Sequence, residues 1–330
     1  MELGQSVART IGMETTPWSI VLAAGEGSRL SSAIKNWFGR ECPKQFCALG
    51  GSQTMVEKTI SRALDVSSLN QVLTIVGKSQ LSFIPPHAKL GRVIKQPRNL
   101  GTGIGILYSL AHILPRNPEA IVSILPSDHF VAPKRVFSKF LRLAVRFVKD
   151  NPQNPLLLAA QATSPETDYG WIETGNSIND SSILSVSRFR EKPPMEEASR
   201  LWNRGALWNT MITVSKAKTL WELARAVKPD LIRHFEEIFS SLDSGISEEE
   251  AENFYQRIAP LDFSKDILEV NAHQINVLPM RGVVWSDWGR PERILEIIGQ
   301  FGLPSPMSTG GSYELNRTFR ERPRRVKSFA

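Results

Sequence analysis

The stretch at residues 19–46, SIVLAAGEGSRLSSAIKNWFGRECPKQF, constrains this chain more than any other. Ile20, Val21 and Leu22 form an apolar, β-branched run that reads as a buried strand. It breaks into a turn of small residues, Ala23-Ala24-Gly25-Glu26-Gly27-Ser28, which delivers Arg29; a second cation, Lys44, follows beside Pro43. A buried strand opening into a glycine loop offers main-chain N–H groups to an anion, because glycine lets the backbone approach without a Cβ in the way. Two cations near such a loop point to a polyphosphate. Gly25 and Gly27 match two glycines of a dinucleotide fingerprint, but Leu30 stands at the third, which argues against a Rossmann oxidoreductase. The loop also lacks the G-K-[ST] ending of a P-loop. Taken alone, it could be a strand-to-helix turn that needs glycine only for its conformation.

The remaining pattern sets the fold class. Apolar runs at residues 71–76, 92–95, 120–125 and 156–160 alternate with helical patterns at 54–64, 101–114 and 137–148. Strands apolar throughout and separated by helices predict an α/β fold, with a mostly parallel sheet covered on both faces. The second half is more mixed. Extended segments at 170–174, 183–190, 208–214, 275–279 and 283–285 alternate with helices at 195–202, 217–227, 231–242, 247–258 and 291–298. With 41% hydrophobic and 22% charged residues among 330, the composition is that of a folded protein.

Charge and targeting narrow the partners. Of the net charge of +7, +4 lies in the last nineteen residues, where six Arg/Lys face two Glu. The body is near neutral, so no nucleic-acid partner is expected. No apolar run is long enough to span a bilayer, and the first seventeen residues lack the apolar core of a secretion signal; a cytoplasmic protein with no membrane partner is expected. Cys42 and Cys47, without a second pair, read as reduced thiols rather than a zinc site.

Several residues carry both a chemical and a plain reading. Asp128 ends an apolar strand in PSDH and Asp287 ends another in WSDWG, the position at which open α/β sheets place ligand-binding groups. Either could be a turn former; two at the strand ends of one sheet are the hard oxygen ligands Mg²⁺ prefers. His129 is expected to pack or cap locally. Glu191-Lys192-Pro193 is a solvated charge pair or a sugar and phosphate reader. Asn209 is a polar strand residue or a hydroxyl reader, and Tyr169-Gly170-Trp171-Ile172-Glu173 is an edge strand or a pocket wall.

In order along the chain, LAAGEGSRL, PKQF, QPRN-GT, PSDH, YGWIE, FREKP, LWN and WSDWG resemble the sugar-phosphate nucleotidyltransferases, most closely the mannose-1-phosphate guanylyltransferases. The resemblance covers residues 18–298. It implies a Rossmann-like, GT-A-like sheet with a small mixed sugar-binding part, and Mg²⁺-dependent transfer of GMP from GTP to mannose 1-phosphate. Leu22, Ala23, Ala24, Gly25, Gly27 and Arg29 would cradle the triphosphate. Lys44 would act with Arg29 near the reacting centre, and Gln96, Asn99, Gly101 and Thr102 would line the base and ribose. Asp128 and Asp287 would hold the metal. Gly170, Glu173, Glu191 and Asn209 would read the sugar, and Lys192 its phosphate. Leu100, Gly103-Ile104, Thr210-Met211 and Ser264 depart from the family pattern, and Met211 puts a bulky side chain near the sugar. The rival readings are the same chemistry on another sugar 1-phosphate or nucleotide, and a non-catalytic homologue that binds sugar nucleotides. The expected organisation is an extension at 1–14, one catalytic domain at 15–302 and a basic tail at 303–330; a homo-oligomer is as compatible with the sequence as a monomer.

Overall fold

A computed structural model describes residues 16–239, 242 and 245–306. The 1–14 extension, the tail beyond residue 306 and part of the 231–242 segment lie outside the described residues. The first half runs β1 (Trp18–Leu22), α1 (Ser31–Phe38), α2 (Met55–Ala63), β2 (Val72–Gly77), β3 (Arg92–Gln96), α3 (Thr102–Ile113), β4 (Ile121–Pro126), β5 (Phe130–Ala132), α4 (Lys134–Asp150) and β6 (Leu156–Gln161). The second half runs β7 (Gly170–Ser177), β8 (Leu184–Glu191), α5 (Met195–Asn203), β9 (Leu207–Lys216), α6 (Ala217–Val227), α7 (Pro229–Glu237), α8 (Glu248–Arg257), β10 (Asn276–Pro279), β11 (Val284–Ser286) and α9 (Pro291–Phe301).

Nine strands form one sheet in the order β3-β2-β1-β4-β9-β6-β10-β8-β7, with β7 also pairing to β9. β3, β2, β1 and β4 are parallel neighbours, and the antiparallel β9 then joins β4 to β6. The expected parallel sheet is therefore the first half of the molecule, and the second half is mixed. Side chains alternate across it: Ile20, Leu73 and Ile75 enter one apolar layer with α3, α6, α7 and α8. Val21, Val72 and Val76 enter the other, with α2, α4 and α5. Every residue of β2 is buried, which is why the strand carries no polar alternation. Helix α4 shows the same logic in reverse: Phe137, Leu141, Ala144 and Val148 make one fully buried stripe.

One expectation about the sheet is corrected. Asp287 does not end a strand of the main sheet. It follows β11, which pairs antiparallel with β5 in a separate two-stranded ribbon. Because β5 begins two residues after Asp128, this ribbon folds the late segment back onto the end of β4. The sequence pattern could not distinguish the two sheets, since three-residue strands carry no usable periodicity. Below the ribbon, α1 and α9 pack around Trp288 and Leu49 in a third apolar cluster.

Helix α2 starts at a reciprocal cap: Thr54 Oγ1 accepts from the Glu57 amide at 3.3 Å and Glu57 Oε2 accepts from the Thr54 amide at 2.8 Å. Thr54→Ala removes an acceptor for an otherwise unpaired helix-start donor. It is expected to lower the free energy of unfolding in urea by about 1 kcal/mol.

Candidate active site

The site grows from the edge where β1 and β4 end side by side, with Leu22 opposite Pro126. The Ser127 amide and hydroxyl both donate to the Leu22 carbonyl, at 3.0 and 2.7 Å. The glycine loop and Asp128 therefore leave the sheet together. Two glutamines shape the loop from outside. Gln45 Nε2 donates to the carbonyls of Ala23 and Gly25, and Gln80 Nε2 donates to Gly25, all at 2.8 Å. With the carbonyls held this way, the amides of Ala24, Gly25, Glu26 and Gly27 donate to nothing among the described residues. Gly27 adopts a left-handed φ of 64°, which reverses the chain. Gly25 has no such need, and a Cβ there would meet nothing within 4 Å. The space at Gly25 opens into a cavity of about 280 Å³.

Lys44 stands behind the cavity rather than in it. Only 3% exposed, its Nζ lies 2.8 Å from Asp128 Oδ2 and donates to the Asp287 carbonyl at 2.5 Å. Arg29, on the cavity wall, keeps 61% of its side chain exposed and reaches Asp287 Oδ2 at 3.4 Å. Asp287 Oδ1 accepts from Tyr169 Oη (2.8 Å), Arg293 Nη1 (3.0 Å) and the Gly289 amide (2.9 Å). Burial alone would raise both carboxyls, but the Lys44 charge overrides it in each, joined at Asp287 by the Gly289 and Tyr169 donors: Asp128 is held at about 2 and Asp287 below its ordinary value. His129 packs edge-on against Trp285, whose Nε1 donates to His129 Nδ1 at 3.3 Å; burial lowers its pKa and keeps the ring neutral.

These two carboxylates fit a divalent cation. Each has one oxygen anchored to the protein, while the other makes only long contacts, 3.6 Å from Asp128 Oδ1 to His129 and 3.4 Å from Asp287 Oδ2 to Arg29. Among the described residues no cluster of three or more His, Cys, Asp or Glu ligands occurs. A Mg²⁺ ion here would complete its shell from water and phosphate oxygens, as that ion does.

The same cavity receives Gly170, Glu191, Lys192 and Asn209. Glu191 Oε1 lies 3.1 Å from Lys192 Nζ, whereas Oε2 is buried without a hydrogen-bond partner. Burial raises the Glu191 pKa against the opposing Lys192 charge. A Cβ on Gly170 would sit 2.5 Å from that oxygen, so glycine there leaves room for the Glu191 carboxylate. Asn209 Nδ2 donates to Ser264 Oγ at 3.1 Å, and its Oδ1 accepts from the Met211 amide at 2.9 Å.

Other expected residues lie elsewhere. Gln96 is buried and donates to Tyr255 Oη at 2.9 Å; Asn99 Oδ1 accepts from the Gly101 amide at 3.0 Å. Gly101 has φ 91° and its missing Cβ makes room for the Leu261 carbonyl. Of that group only Thr102 reaches the cavity. Glu173 lies outside it, with its carboxylate 3.7 Å from both Arg188 and Arg204. Conversely, Gln45, Gln80, Tyr169 and Arg293 hold the site together without having been singled out for that work. Arg293, which also pairs with Glu166, reads in the sequence as one more cation on an amphipathic helix.

Backbone strain marks the same region. Among the described residues, five non-glycine positions have positive φ. Asn179 and Asp180 lie together between β7 and β8, where such residues are at ease. The other three, Lys192, Met211 and Trp288, either line the cavity or adjoin Asp287, and each such conformation costs on the order of 1 kcal/mol.

Comparison with known proteins agrees with this architecture. The family description "Nucleotidyl transferase" matches residues 18–301. The chain belongs to the nucleotidyl transferase family. Mannose-1-phosphate guanylyltransferase 2 of Escherichia coli O157:H7 is 29% identical over 238 residues, covering 68% of this chain and 48% of that protein. Alginate biosynthesis protein AlgA of Pseudomonas fluorescens is 25% identical over 219 residues, 64% of this chain and 44% of the relative. The chain thus spans about half the length of the curated relatives it matches. A solved structure described as mannose-1-phosphate geranyltransferase from Thermus thermophilus superposes with a TM-score of 0.72 at 24% identity, covering 85% of this chain and 79% of that one. A UTP-bound UGPase from Acinetobacter baumannii superposes at 0.53 with 14% identity over 87% of this chain and 94% of its own. At such identities these two likenesses speak for the fold.

Two outcomes are expected for the residues of this cavity. Gly25→Ala is expected to leave unfolding unchanged within about 1 kcal/mol, while nucleotide affinity, measured by calorimetry, falls about tenfold. A depressed carboxyl contributes stability above its unfolded value, near 4, and loses it as pH falls through the folded value of about 2. The melting temperature of Asp128→Asn should therefore decline less steeply than that of the wild type across that interval.

Proposed function

We propose that this nucleotidyl transferase moves GMP from GTP to mannose 1-phosphate, giving GDP-mannose and diphosphate. The observation that carries the reading is one cavity shared by three parts: the loop with unpaired amides at Gly25, the carboxylates Asp128 and Asp287, and the Glu191–Lys192–Asn209 cluster. The first is a polyphosphate cradle, the second a divalent-cation pair and the third a reader of a sugar phosphate. The choice of guanine and mannose rests on the names of the curated relatives.

The loop amides and Arg29 hold the triphosphate against one end of the cavity. Lys192 supplies an exposed cation for the sugar phosphate, and the Glu191 carboxylate on the cavity wall accepts from a sugar hydroxyl. An oxygen of the sugar phosphate then attacks the α-phosphorus in line; the bond to the bridging α–β oxygen breaks and its electron pair leaves with diphosphate. Asp128 and Asp287 would hold Mg²⁺, whose charge supports the pentavalent centre when bound. Lys44 does not contact phosphate in this scheme. It fixes Asp128 and the Asp287 backbone so that both carboxylates are placed before substrate arrives. Positioning and charge neutralisation suffice, because phosphoryl-type transfers ask for little covalent chemistry from the protein. We assign the reaction to the cytoplasm, where nucleoside triphosphates are available.

The test is diphosphate release across four nucleoside triphosphates and several sugar 1-phosphates, with and without Mg²⁺. Mg²⁺-dependent turnover with GTP and mannose 1-phosphate is expected to exceed every other pair. Binding without turnover in any pair would sink the enzymatic reading. Asp128→Asn and Asp287→Asn should each lower kcat by about a thousandfold with the fold intact; near-normal rates would remove the metal assignment.

A further inference from the structure

Met211 stands apart among the residues that line the cavity. It lies within β9, where regular strand geometry is expected, yet has φ 60°. The opposing β6 shows a register shift between Leu157 and Ala159 at this level, the sign of a bulge. Bulges re-aim a side chain, and this one is fastened on every side. Asn209 Oδ1 accepts from the Met211 amide, Thr213 Oγ1 donates to the Met211 carbonyl at 3.1 Å, and Thr210 Oγ1 both accepts from the Ile212 amide at 3.2 Å and donates to the Leu158 carbonyl. Glycine or asparagine would take this conformation with little or no strain. A long, unbranched side chain is held there against its own preference.

Its surroundings suggest what it is held for. Met211 is half-buried against the apolar layer below the sheet, and its neighbours on the cavity wall, Asn209, Thr210, Glu191, Asp262 and Ser264, are hydrogen-bonding groups. It is thus an apolar side chain among hydrogen-bonding groups, next in the chain but one to Asn209. Building on the sugar-phosphate reading above, we propose that Met211 is a specificity-determining residue. It limits the volume on the sugar side of the cavity, so the site takes hexose 1-phosphates without a bulky ring substituent and excludes N-acetylhexosamine 1-phosphates.

The experiment compares the wild type with Met211→Gly and Met211→Asn, both compatible with positive φ, on mannose 1-phosphate and N-acetylglucosamine 1-phosphate. The readouts are kcat and KM separately, with melting temperature as the control for folding. In Met211→Gly the ratio of kcat/KM for the N-acetylated substrate over mannose 1-phosphate should rise about tenfold or more, mainly through KM, with Met211→Asn between the two. A ratio unchanged within about twofold in both folded variants overturns the proposal and leaves Met211 a packing residue. If neither wild type nor variants release diphosphate from any pair, nucleotidyl transfer itself fails. Calorimetric binding of the same two sugar phosphates then decides: a shifted affinity ratio supports the volume limit, and an equal one overturns it.

Discussion

The buried Lys44 ammonium is the contact on which the rest of the site depends. A lysine 3% exposed is tolerable only with its charge answered, and two distant segments answer it: the Asp128 carboxylate after β4 and the Asp287 carbonyl after β11. Removing the ammonium would leave the Asp128 carboxylate without its nearest countercharge. The same contact fastens the β5–β11 ribbon to the parallel sheet. One interaction therefore sets both the separation of the two carboxylates and the attachment of the last part of the chain. Around it runs a shell of fixed donors, from Tyr169, Arg293 and Gly289 to Asp287 and from Gln45 and Gln80 to the loop carbonyls, which orients the groups left free for a ligand.

This division between anchored and available atoms recurs throughout the cavity. In each carboxylate one oxygen is anchored and one is nearly free; in Glu191 one oxygen meets Lys192 and the other meets nothing. The Ala23 and Gly25 carbonyls are occupied, and the amides of residues 24–27 are open. A folding chain has little reason to bury an unsatisfied acceptor such as Glu191 Oε2, so that group indicates where binding energy is to be recovered. The strained backbones of Lys192, Met211 and Trp288 fall in the same region, whereas the layers around the sheet are conventionally packed. The cost is local because the two apolar layers support it.

Much of the fold was legible in the residues. Apolar runs such as 71–76 and 120–125, punctuated by glycine, proline and aspartate, fixed the strands; Thr54 and Glu57 announced the start of α2. Gly25 of the glycine loop, Arg29, Asp128, Asp287, Glu191, Lys192 and Asn209 could be picked out as candidates, and the structure brings all of them to one cavity, whose lining does not include Ala23, Ala24 or Gly27. Glu173 and Gln96 could not be separated from that set by sequence. Whether a polar residue in a strand faces a cavity, an arginine or a buried tyrosine depends on which elements lie above it, and that is a matter of packing. Likewise, the short ribbon that carries Asp287 has no periodicity to betray which sheet it joins.

By itself the sequence determined local matters: where the chain is buried on two faces, where it must turn, and which residue types it offers at those turns. Periodicity and glycine placement record these directly, because each depends on near neighbours in the chain. Only the tertiary structure decided that Lys44 serves the carboxylates from behind rather than facing the cavity, that Gln45, Gln80 and Arg293 are part of the site, and that Met211 is turned by a bulge onto the cavity wall. Apart from the Arg293–Asp287 pair, six positions apart, those outcomes rest on contacts between residues scores or hundreds of positions apart, which no local pattern encodes. The loop at residues 23–27 shows both halves of the matter. Its glycines are written in the sequence, but the amides they leave open are set by glutamines from two other segments.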